Sequence, residues 1–340
     1  MNKDFGFGII GCGVISKWHA DSIKEIEGAK LIGVFDKFKE GALKFASANE
    51  CICFETYEDM LNSEEIDAVC ICTPSGTHAP LAIQAAYAGK NIIVEKPVAI
   101  TREQIAELVE AVEKNNVKLA VISQLRFNDT IRKVKKAVDD GKLGKILLGD
   151  IYMKYYRSPE YYSSSNWRGT WAMDGGGALM NQGIHGIDIL QYLAGPVKSV
   201  SAICRTLDRD IEVEDAGNII VEYEHGGIGI IQGTTCTNPG YPRRLELTGT
   251  KGTIVIEEDT IIKWDIEGEE NEVTQLKTNV GSFNNPSAFD NENHKKQIED
   301  LINAVKENRS PLVDLYEGKK PVEIILAAYE SSKTGTKVEL

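Results

Sequence analysis

A polar stripe crosses a mostly apolar segment in the middle of the chain. Asn181, His185 and Asp188 are spaced at i, i+4 and i+7 in the run 178–193. If the run is one α-helix, these side chains share a face, and a polar face on a buried helix must meet a partner or a cavity. An imidazole titrates near neutral pH, so His185 could accept the proton of a hydroxyl that loses a hydride. The alternative is a core histidine hydrogen-bonded to Asp188.

Glycines surround this stripe. Gly175, Gly176 and Gly177 precede it, and Gly183 and Gly186 interrupt it. A glycine inside a helix costs about 1 kcal/mol relative to alanine, so the interior pair predicts the close approach of a backbone or a ligand. Together with the triple glycine, this favours a functional stripe over a structural one.

A lysine follows a short apolar strand in the first third of the chain. Glu95-Lys96-Pro97 comes directly after Ile92–Val94, which places the lysine at the carboxyl edge of the predicted sheet. Ligands bind at that edge in doubly wound folds, whereas most lysines lie on solvated faces. A partly desolvated ammonium there could polarise a hydroxyl or help to move its proton. We therefore expect Lys96 to be a second catalytic group.

A glycine turn joins the first predicted strand to the first predicted helix. Gly11 and Gly13 follow Phe5–Ile10, and Val14 and Ile15 open the helix. Such a turn brings backbone amides close to a diphosphate at a helix N-terminus. These four residues are predicted to bind a dinucleotide cofactor.

The end of the second predicted strand bears on the choice of cofactor. Asp36 lies there, where a carboxylate accepts both hydroxyls of the adenosine ribose and repels a 2′-phosphate. Its neighbour Lys37 could neutralise such a phosphate, so NAD is favoured over NADP without being settled. The alternative is that Asp36 only caps the following helix.

A second loop at the same sheet edge is predicted to contact the cofactor. It contains Thr73, Pro74 and His78 and follows the strand Ala68–Ile71. It also reads as a Pro-Gly turn with Thr77 as a helix N-cap, and the two roles are compatible.

A stretch rich in arginine and aromatic residues precedes the polar stripe. Aromatic faces stack on sugar rings or bases, and arginine forks bind carboxylates or diphosphates. An equally weighted alternative is a loop that is pinned by its own aromatic side chains. The stretch comprises Tyr155, Tyr156, Arg157, Tyr161, Tyr162, Trp167, Arg168 and Trp171.

The elements that must position these residues follow two patterns. The first 120 residues or so alternate short apolar runs with amphipathic segments, which is typical of β-α-β units and a parallel sheet. From about residue 145, β-branched runs alternate with turn residues, which predicts a mostly antiparallel sheet, and two helices close the chain at 291–307 and 317–333. The fold class is α/β: a Rossmann doubly wound parallel sheet in residues 1–123, followed by an α+β domain in 124–340. The C-terminal helices could pack back on the first domain.

Composition excludes several classes of partner. The net charge of −13 leaves no overall footprint for a nucleic-acid backbone, and the apolar runs are far shorter than the roughly 18 residues that span a membrane. The seven cysteines are scattered without a C-x-x-C pair, so we expect neither a disulfide scaffold nor a metal site. No signal-peptide pattern precedes Phe5, and we expect a cytoplasmic protein.

Five motifs, in this order, resemble the glucose-fructose oxidoreductase/inositol dehydrogenase (Gfo/Idh/MocA) family. The resemblance runs from Phe5 to Val338 and implies NAD(P)-dependent oxidation of a carbohydrate or cyclitol hydroxyl. It also implies a homodimer or homotetramer formed through the open, largely antiparallel sheet of the C-terminal domain. The motifs are Gly11-Cys12-Gly13, Thr73-Pro74-x-x-x-His78, Glu95-Lys96-Pro97, Gln124-x-Arg126-Phe127, and Gly175-Gly176-Gly177-x-Leu179 leading to His185.

The resemblance also implies roles for single residues. Lys96 and His185 would be the catalytic pair beside the nicotinamide, and Glu95 and Gln124 would contact the cofactor. Many members have Asp where this chain has Asn181, which puts an Asp–His relay in doubt and leaves a substrate-orienting role for Asn181.

The same resemblance narrows the class of expected substrates. The Asn form of the motif, preceded by Trp167-Arg168-Gly169-Thr170-Trp171, is similar to members acting on nucleotide sugars such as UDP-N-acetylhexosaminuronates. Substrate contacts are expected from Arg126, Tyr156, Trp167 and Arg168, besides Lys96, Asn181 and His185. Inositols, free monosaccharides and a non-catalytic nucleotide-binding regulator are the alternatives. His294 is expected to be an exposed helix residue.

Overall fold

The computed structural model describes residues 3–270 and 291–340, which form two compact units. The first contains residues 3–124 and 291–319, and the second contains 125–270 and 320–340. The predicted domain division at residues 123 and 124 stays a prediction. No helix among the described residues is both long and apolar enough to cross a membrane.

The first unit is built on a six-stranded parallel sheet with the strand order β3-β2-β1-β4-β5-β6. Every residue of β1 is buried, as expected when helices cover both faces of a parallel sheet. The predicted doubly wound sheet is confirmed. Its strands are β1 (Phe5–Ile10), β2 (Ala29–Phe35), β3 (Ile52–Cys53), β4 (Ala68–Ile71), β5 (Asn91–Val94) and β6 (Leu119–Val121).

The helices of the first unit include one from the end of the chain, whose bounds lie close to the predicted 291–307. Thr101 caps α5 by accepting a hydrogen bond from the Gln104 amide at 3.2 Å, and Asn116 ends it in a left-handed conformation. A helix from the end of the chain completes the core, where Ile298 and Leu301 pack with Phe7, Ile9 and Ile23. The helices are α1 (Val14–Glu25), α2 (Lys39–Asn49), α3 (Tyr57–Leu61), α4 (His78–Tyr87), α5 (Arg102–Asn115) and α9 (Glu292–Glu307).

The second unit is built on an eight-stranded sheet with the order β13-β12-β11-β7-β10-β9-β8-β14. All neighbours are antiparallel except β7 and β10, which confirms the predicted mostly antiparallel sheet. Its strands are β7 (Ile146–Lys154), β8 (Val197–Arg205), β9 (Ala216–Tyr223), β10 (Ile228–Thr234), β11 (Arg244–Gly249), β12 (Gly252–Glu257), β13 (Thr260–Ile266) and β14 (Val338–Glu339).

One buried face of this sheet is covered by the segment that carries the polar stripe. The helices of the second unit are α6 (Asp129–Asp139), α7 (Pro159–Ser163) and α8 (Ile184–Ala194). The chain's last helix, α10 (Leu315–Thr334), begins in the first unit and continues into the second. The Cβ that an alanine would add at Gly186 would lie 2.4 Å from the Met153 sulfur of β7. At Gly186, where the sequence predicts the close approach of a backbone or a ligand, side chains of β7 approach instead.

The single α-helix predicted over 178–193 is wrong in its first half. Ala178–Gly183 is a π-helical turn, and α8 starts only at Ile184. Because a π-turn has more residues per turn than an α-helix, the i, i+4 spacing of Asn181 and His185 does not place them on one α-helical face. The corrected geometry puts the two side chains on consecutive turns of different pitch.

Candidate active site

The glycine turn after β1 has the geometry that a bound diphosphate needs. Gly11 has a φ of +90°, and a Cβ there would lie 2.6 Å from the Cys72 carbonyl oxygen. A Cβ on Gly13, the N-cap of α1, would meet no atom within 4 Å. The first amides of α1, at Val14 and Ile15, therefore face a position that a phosphate can approach closely.

Asp36 is held by two backbone amides, and its contact with a ribose stays a prediction. Its carboxylate accepts hydrogen bonds from the Cys12 amide and from the Phe38 amide, each at 2.8 Å. The first bond fixes the carboxylate beside the glycine turn, and the second closes a turn just before α2. The N-cap of α2 is Phe38, without a side-chain cap, so the alternative that Asp36 caps this helix is wrong. Asp36 and Lys37 also line a cavity of about 250 Å³. A carboxylate held in this way fits a ribose diol.

The second loop is joined to the lysine segment through His78. The two ring nitrogens of this buried imidazole each lie 2.7 Å from a carbonyl oxygen, one of Thr73 and one of Pro97. His78 thus holds Thr73 and Pro74 at a fixed distance from the residue after Lys96, inside the first unit.

Gln124 also supports the fit of a cofactor. Its side-chain oxygen is buried and accepts no hydrogen bond from the described part of the chain. A buried acceptor of this kind is costly unless a donor reaches it. A carboxamide N–H, such as that of nicotinamide, is such a donor.

Glu95, directly before Lys96, forms a buried pair with His19. Lys96 itself is half-buried, whereas Glu95 is 6% exposed and its Oε1 lies 2.8 Å from His19 Nε2. Burial alone would raise the pKa of Glu95, but the hydrogen bond and charge of His19, with the charges of His294 and Lys96, lower it to about 2. For His19, burial lowers the pKa, but Cys72, Cys70 and Glu95 outweigh it and raise the pKa well above its usual value.

His294 corrects a prediction. It is 1% exposed rather than solvated, and its ring centroid lies 5.9 Å from that of His19 in an edge-on contact. Helical spacing contained the signal for both histidines, since His19 shares the buried face of α1 with Ile23, and His294 that of α9 with Ile298 and Leu301.

In the second unit, Asp188 of the stripe is paired with Arg126. The Arg126 Nε donates to both carboxylate oxygens at 3.1 and 2.9 Å, and its Nη2 donates to Oδ1 at 2.6 Å. Both side chains are buried, and the Arg126 guanidinium also lies 4.6 Å from the Tyr192 ring centroid. This bidentate pair fixes α8, whose first turn carries the half-buried His185.

Asn181 is held in one orientation by its neighbours. Its Nδ2 donates to Asp174 Oδ1, and its Oδ1 accepts from Gln182 Nε2 at 2.9 Å. Asp174 in turn accepts from the Gly169 amide at 2.9 Å. Asp174 therefore fixes the orientation of the Asn181 side-chain amide.

The aromatic stretch makes extensive contacts with itself. The Arg168 guanidinium lies 4.4 Å from the Tyr161 ring centroid and 5.5 Å from that of Trp167, and donates to the Tyr161 carbonyl and to Ser164 Oγ. These contacts support the pinned-loop interpretation of Arg168. A substrate role for this residue stays a prediction.

The stretch also reaches the π-turn. Gln182 accepts from Arg157 Nε at 2.9 Å and donates to the Tyr161 hydroxyl at 2.8 Å. Tyr156 is half-buried, with the Arg209 guanidinium 5.5 Å from its ring centroid. The residue next to Asn181 is therefore tied to the predicted substrate loop.

The triple glycine is explained by a contact that the sequence does not reveal. A Cβ on Gly177 would lie 2.1 Å from the Glu214 carbonyl oxygen, and one on Gly176, whose φ is +154°, would lie 2.1 Å from the Tyr329 hydroxyl. Only glycine lets these two distant residues approach the turn.

The fold and these contacts define a class of protein. A parallel sheet with a glycine turn, an aspartate at the end of β2 and a half-buried lysine after β5 is a dinucleotide-binding unit. The second unit presents a half-buried histidine on a helix that an ion pair fixes. The combination is that of a nicotinamide-dependent oxidoreductase.

Comparison with known proteins agrees. Residues 5–123 match the model of the oxidoreductase family with an NAD-binding Rossmann fold, and residues 131–255 match the Gfo/Idh/MocA C-terminal domain. The chain therefore belongs to the Gfo/Idh/MocA family of oxidoreductases. The predictions of this family, of an enzyme and of NAD as cofactor are confirmed.

Individual relatives cover most or all of the chain. Inositol 2-dehydrogenase of Rhizobium meliloti (strain 1021) is 30% identical over 76% of this chain and 78% of that protein. The scyllo-inositol 2-dehydrogenase (NAD(+)) of Bacillus subtilis (strain 168) is 28% identical over 98% of this chain and 95% of that one. The crystal structure of the WlbA dehydrogenase from Bordetella pertussis, in complex with NADH and UDP-GlcNAcA, is 33% identical, covers 99% of both chains and has a TM-score of 0.89.

Proposed function

We propose that this enzyme oxidises a secondary hydroxyl of a nucleotide sugar that carries a uronate, of the UDP-N-acetylhexosaminuronate class, with NAD as hydride acceptor. The observation that supports this most is the end-to-end likeness to the WlbA dehydrogenase in complex with NADH and UDP-GlcNAcA. The aromatic and arginine-rich stretch before the π-turn offers surfaces for a base, a sugar ring and anionic groups.

We assign the chemistry to two side chains. His185 accepts the proton of the hydroxyl as its carbon becomes a carbonyl, and the Lys96 ammonium donates a hydrogen bond to that oxygen. Asn181, fixed by Asp174 and Gln182, orients the sugar. NAD, when bound, supplies the acceptor for the hydride that leaves the same carbon.

The first unit would hold the cofactor through four groups of contacts. The amides that follow Gly11 and Gly13 bind the diphosphate, and Asp36 binds the adenosine ribose. The loop of Thr73 and Pro74 lies along the cofactor, held by His78. The buried oxygen of Gln124 accepts the nicotinamide carboxamide.

The substrate residues divide into contacts and supports. Tyr156 and Trp167 are assigned to stacking on the nucleotide or sugar, and Arg168 to the anionic part. Arg126 acts through its ion pair with Asp188, which fixes the helix that carries His185.

The test is a substrate panel. The wild-type chain is incubated with NAD and, separately, UDP-GlcNAcA, UDP-GlcNAc, free N-acetylglucosaminuronate and myo-inositol, and NADH absorbance is followed. We expect turnover with UDP-GlcNAcA and a kcat/KM at least about 10-fold lower without the uronate or the nucleotide, since each removes charge-assisted hydrogen bonds. Preference for myo-inositol would instead support an inositol dehydrogenase, the second candidate, which the Rhizobium and Bacillus relatives favour. Tight NADH binding without turnover on any member would support a non-catalytic regulator.

We also propose that the enzyme assembles as a homodimer or homotetramer through the outer face of the second sheet. That face exposes large apolar side chains on neighbouring strands, including Ile203 and Ile220, each 62% exposed, and Ile228 and Ile230. Ile220→Lys should lower the mass measured by light scattering, and an unchanged mass would contradict this interface.

A cytoplasmic location is proposed on chemical grounds. All seven cysteines are free thiols, and Cys70 and Cys72 are buried in the core of the first unit. A reducing compartment with a free NAD pool suits both features. Fractionation of cells that express the tagged chain tests the location.

A further inference from the structure

One residue far away in sequence receives the first amides of the π-turn. The Glu214 carboxylate accepts from the Gly177 amide at 3.1 and 3.0 Å and from the Leu179 amide at 2.8 Å. Its backbone carbonyl accepts from the Ala178 amide at 2.9 Å. Three consecutive N–H groups at the start of the turn that carries Asn181 therefore end on Glu214.

This contact replaces a local helix cap. The first amides of a helical segment have no partner within it, and a serine, threonine or aspartate side chain normally accepts one of them. Gly177, at the N-cap position, has no side chain, and its missing Cβ is what lets Glu214 approach. Glu214, which lies just before β9, thus caps the turn in place of a side chain from the turn itself.

A tyrosine completes the arrangement from α10. The Tyr329 hydroxyl donates to Glu214 Oε1 at 2.9 Å. Cys204 of β8 also interacts with Glu214, and Asp174 interacts with Tyr329. Glu214 is 3% exposed, and it interacts with the amides of Gly177 and Leu179, the Tyr329 hydroxyl and the Cys204 thiol. The partial positive charges of the amides at the start of the turn are therefore what favour its ionised form.

We propose that Glu214 is a positioning residue of the active site, whose buried carboxyl group holds the π-turn and so sets the orientation of Asn181 and His185. The inference rests on the proposed function of these two residues. Tyr329 is the second member of this clamp, which we define as Glu214, Tyr329 and the amides of residues 177–179.

Burial and hydrogen bonding have opposite effects on the pKa of the Glu214 carboxyl. Burial raises the pKa of Glu214 to about 7, and the hydrogen bonds from Leu179, Gly177 and Tyr329 offset only part of this. Because the pKa of Glu214 is higher in the closed clamp than in an open one, the clamp is most stable below about pH 4.5 and loses stability as the pH rises through about 7.

Hydrogen exchange tests the clamp without any substrate. Exchange of the amides of residues 177–179 is followed by mass spectrometry in the full-length wild type and in Glu214→Gln, Tyr329→Phe and the matched control Glu224→Gln, which changes an exposed glutamate of the same unit. We expect protection factors to fall about 10-fold or more in Glu214→Gln, by less in Tyr329→Phe, and to stay at the wild-type value in the control. In the wild type, protection corrected for intrinsic exchange should be higher at about pH 6 than at about pH 8, because the raised pKa of Glu214 makes its stabilisation fall as the pH rises. Wild-type protection in both clamp variants would overturn the proposal.

Kinetics separates positioning from mere structural support. With UDP-GlcNAcA and NAD, Glu214→Gln should lower kcat about 10-fold or more, while the KM for NAD and the Kd for NADH stay within about 2-fold. Loss of protection with an unchanged kcat would also overturn the positioning role. If Glu214→Gln does not fold, Tyr329→Phe gives the same comparison with a smaller effect. If the wild type turns over no panel member, the proposed function fails, and the exchange data still decide whether Glu214 holds the turn.

Discussion

Two buried glutamates support the two proposed catalytic side chains, and their surroundings are opposite. Glu95, directly before Lys96, is 6% exposed and faces the imidazole of His19. Glu214, under the turn that leads to His185, is 3% exposed and faces amides and a tyrosine hydroxyl. The pKa of Glu95 is lowered to about 2, whereas burial raises that of Glu214 to about 7.

The difference shows that a cationic partner and a set of dipoles are not equivalent inside a protein. A partner that can carry a full charge outweighs the desolvation of the Glu95 carboxylate. Amide and hydroxyl dipoles offset only part of that penalty for Glu214. The first glutamate is a permanent anion beneath Lys96, and the second is an anion that a modest change of pH can neutralise.

The two glutamates therefore link stability to pH with opposite signs. The lowered pKa of Glu95 means that its stabilisation is present above the unfolded pKa of about 4.5 and is lost as the pH falls toward 2. The raised pKa of Glu214 means that its stabilisation is complete below about pH 4.5 and is lost as the pH rises through about 7.

The largest expected effect comes from removing the partner of Glu95. His19→Ala leaves a buried carboxylate without its imidazole, which should lower the free energy of unfolding by roughly 3 to 5 kcal/mol, as measured by urea denaturation at neutral pH. The control is Lys39→Ala, which breaks the exposed Lys39–Glu55 pair and should change the free energy of unfolding little. Equal costs for the two variants would mean that the His19–Glu95 pair behaves like a surface pair.

A second prediction uses the pH dependence of Glu214. Between about pH 4.5 and about pH 8, the stability of Glu214→Gln relative to the wild type should improve by roughly 3 kcal/mol, because the variant has no carboxyl to ionise. Thermal or urea unfolding at several pH values measures this difference. A difference that stays constant with pH would show that Glu214 titrates at its ordinary pKa.

The smallest effect is expected from one hydrogen bond of the clamp. Tyr329→Phe removes the hydroxyl that donates to Glu214 and should cost about 1 to 2 kcal/mol of unfolding free energy at about pH 8. Tyr316→Phe, which removes the exposed bond to Glu113, is the matched control and should cost little. If Tyr329→Phe and Tyr316→Phe lower the free energy of unfolding by the same amount, the Tyr329 hydroxyl does not stabilise the buried carboxylate.

The sequence predicted the first sheet well because its strands are short apolar runs bounded by turns, as in Phe5–Ile10 and Ala68–Ile71. The second sheet begins with β7 (Ile146–Lys154), close to the change of pattern predicted near residue 145, although Gly149 and Asp150 interrupt its apolar run, since sheet pairing can override such local signals. No sequence pattern distinguishes the π-turn from an α-helix, so the spacing of the polar stripe predicts a single α-helix.

The supporting residues of the site were less predictable than the groups they support. Lys96 and His185 stand beside recognisable turns and motifs, but Glu214 meets Gly177 across 37 positions of sequence. No local pattern joins two such residues. The triple glycine indicated that something approaches the turn, and only the tertiary structure shows what it is.

The central claim is that Lys96 and His185 act on one substrate hydroxyl in NAD-dependent oxidation. The most direct measurement is the rate of NADH formation from UDP-GlcNAcA and NAD by the wild type, Lys96→Ala and His185→Ala, with the Kd for NADH measured in each. We predict turnover by the wild type, a kcat at least about 100-fold lower in each variant, and NADH affinity within about 2-fold of the wild type. Wild-type rates in either variant would contradict the assignment.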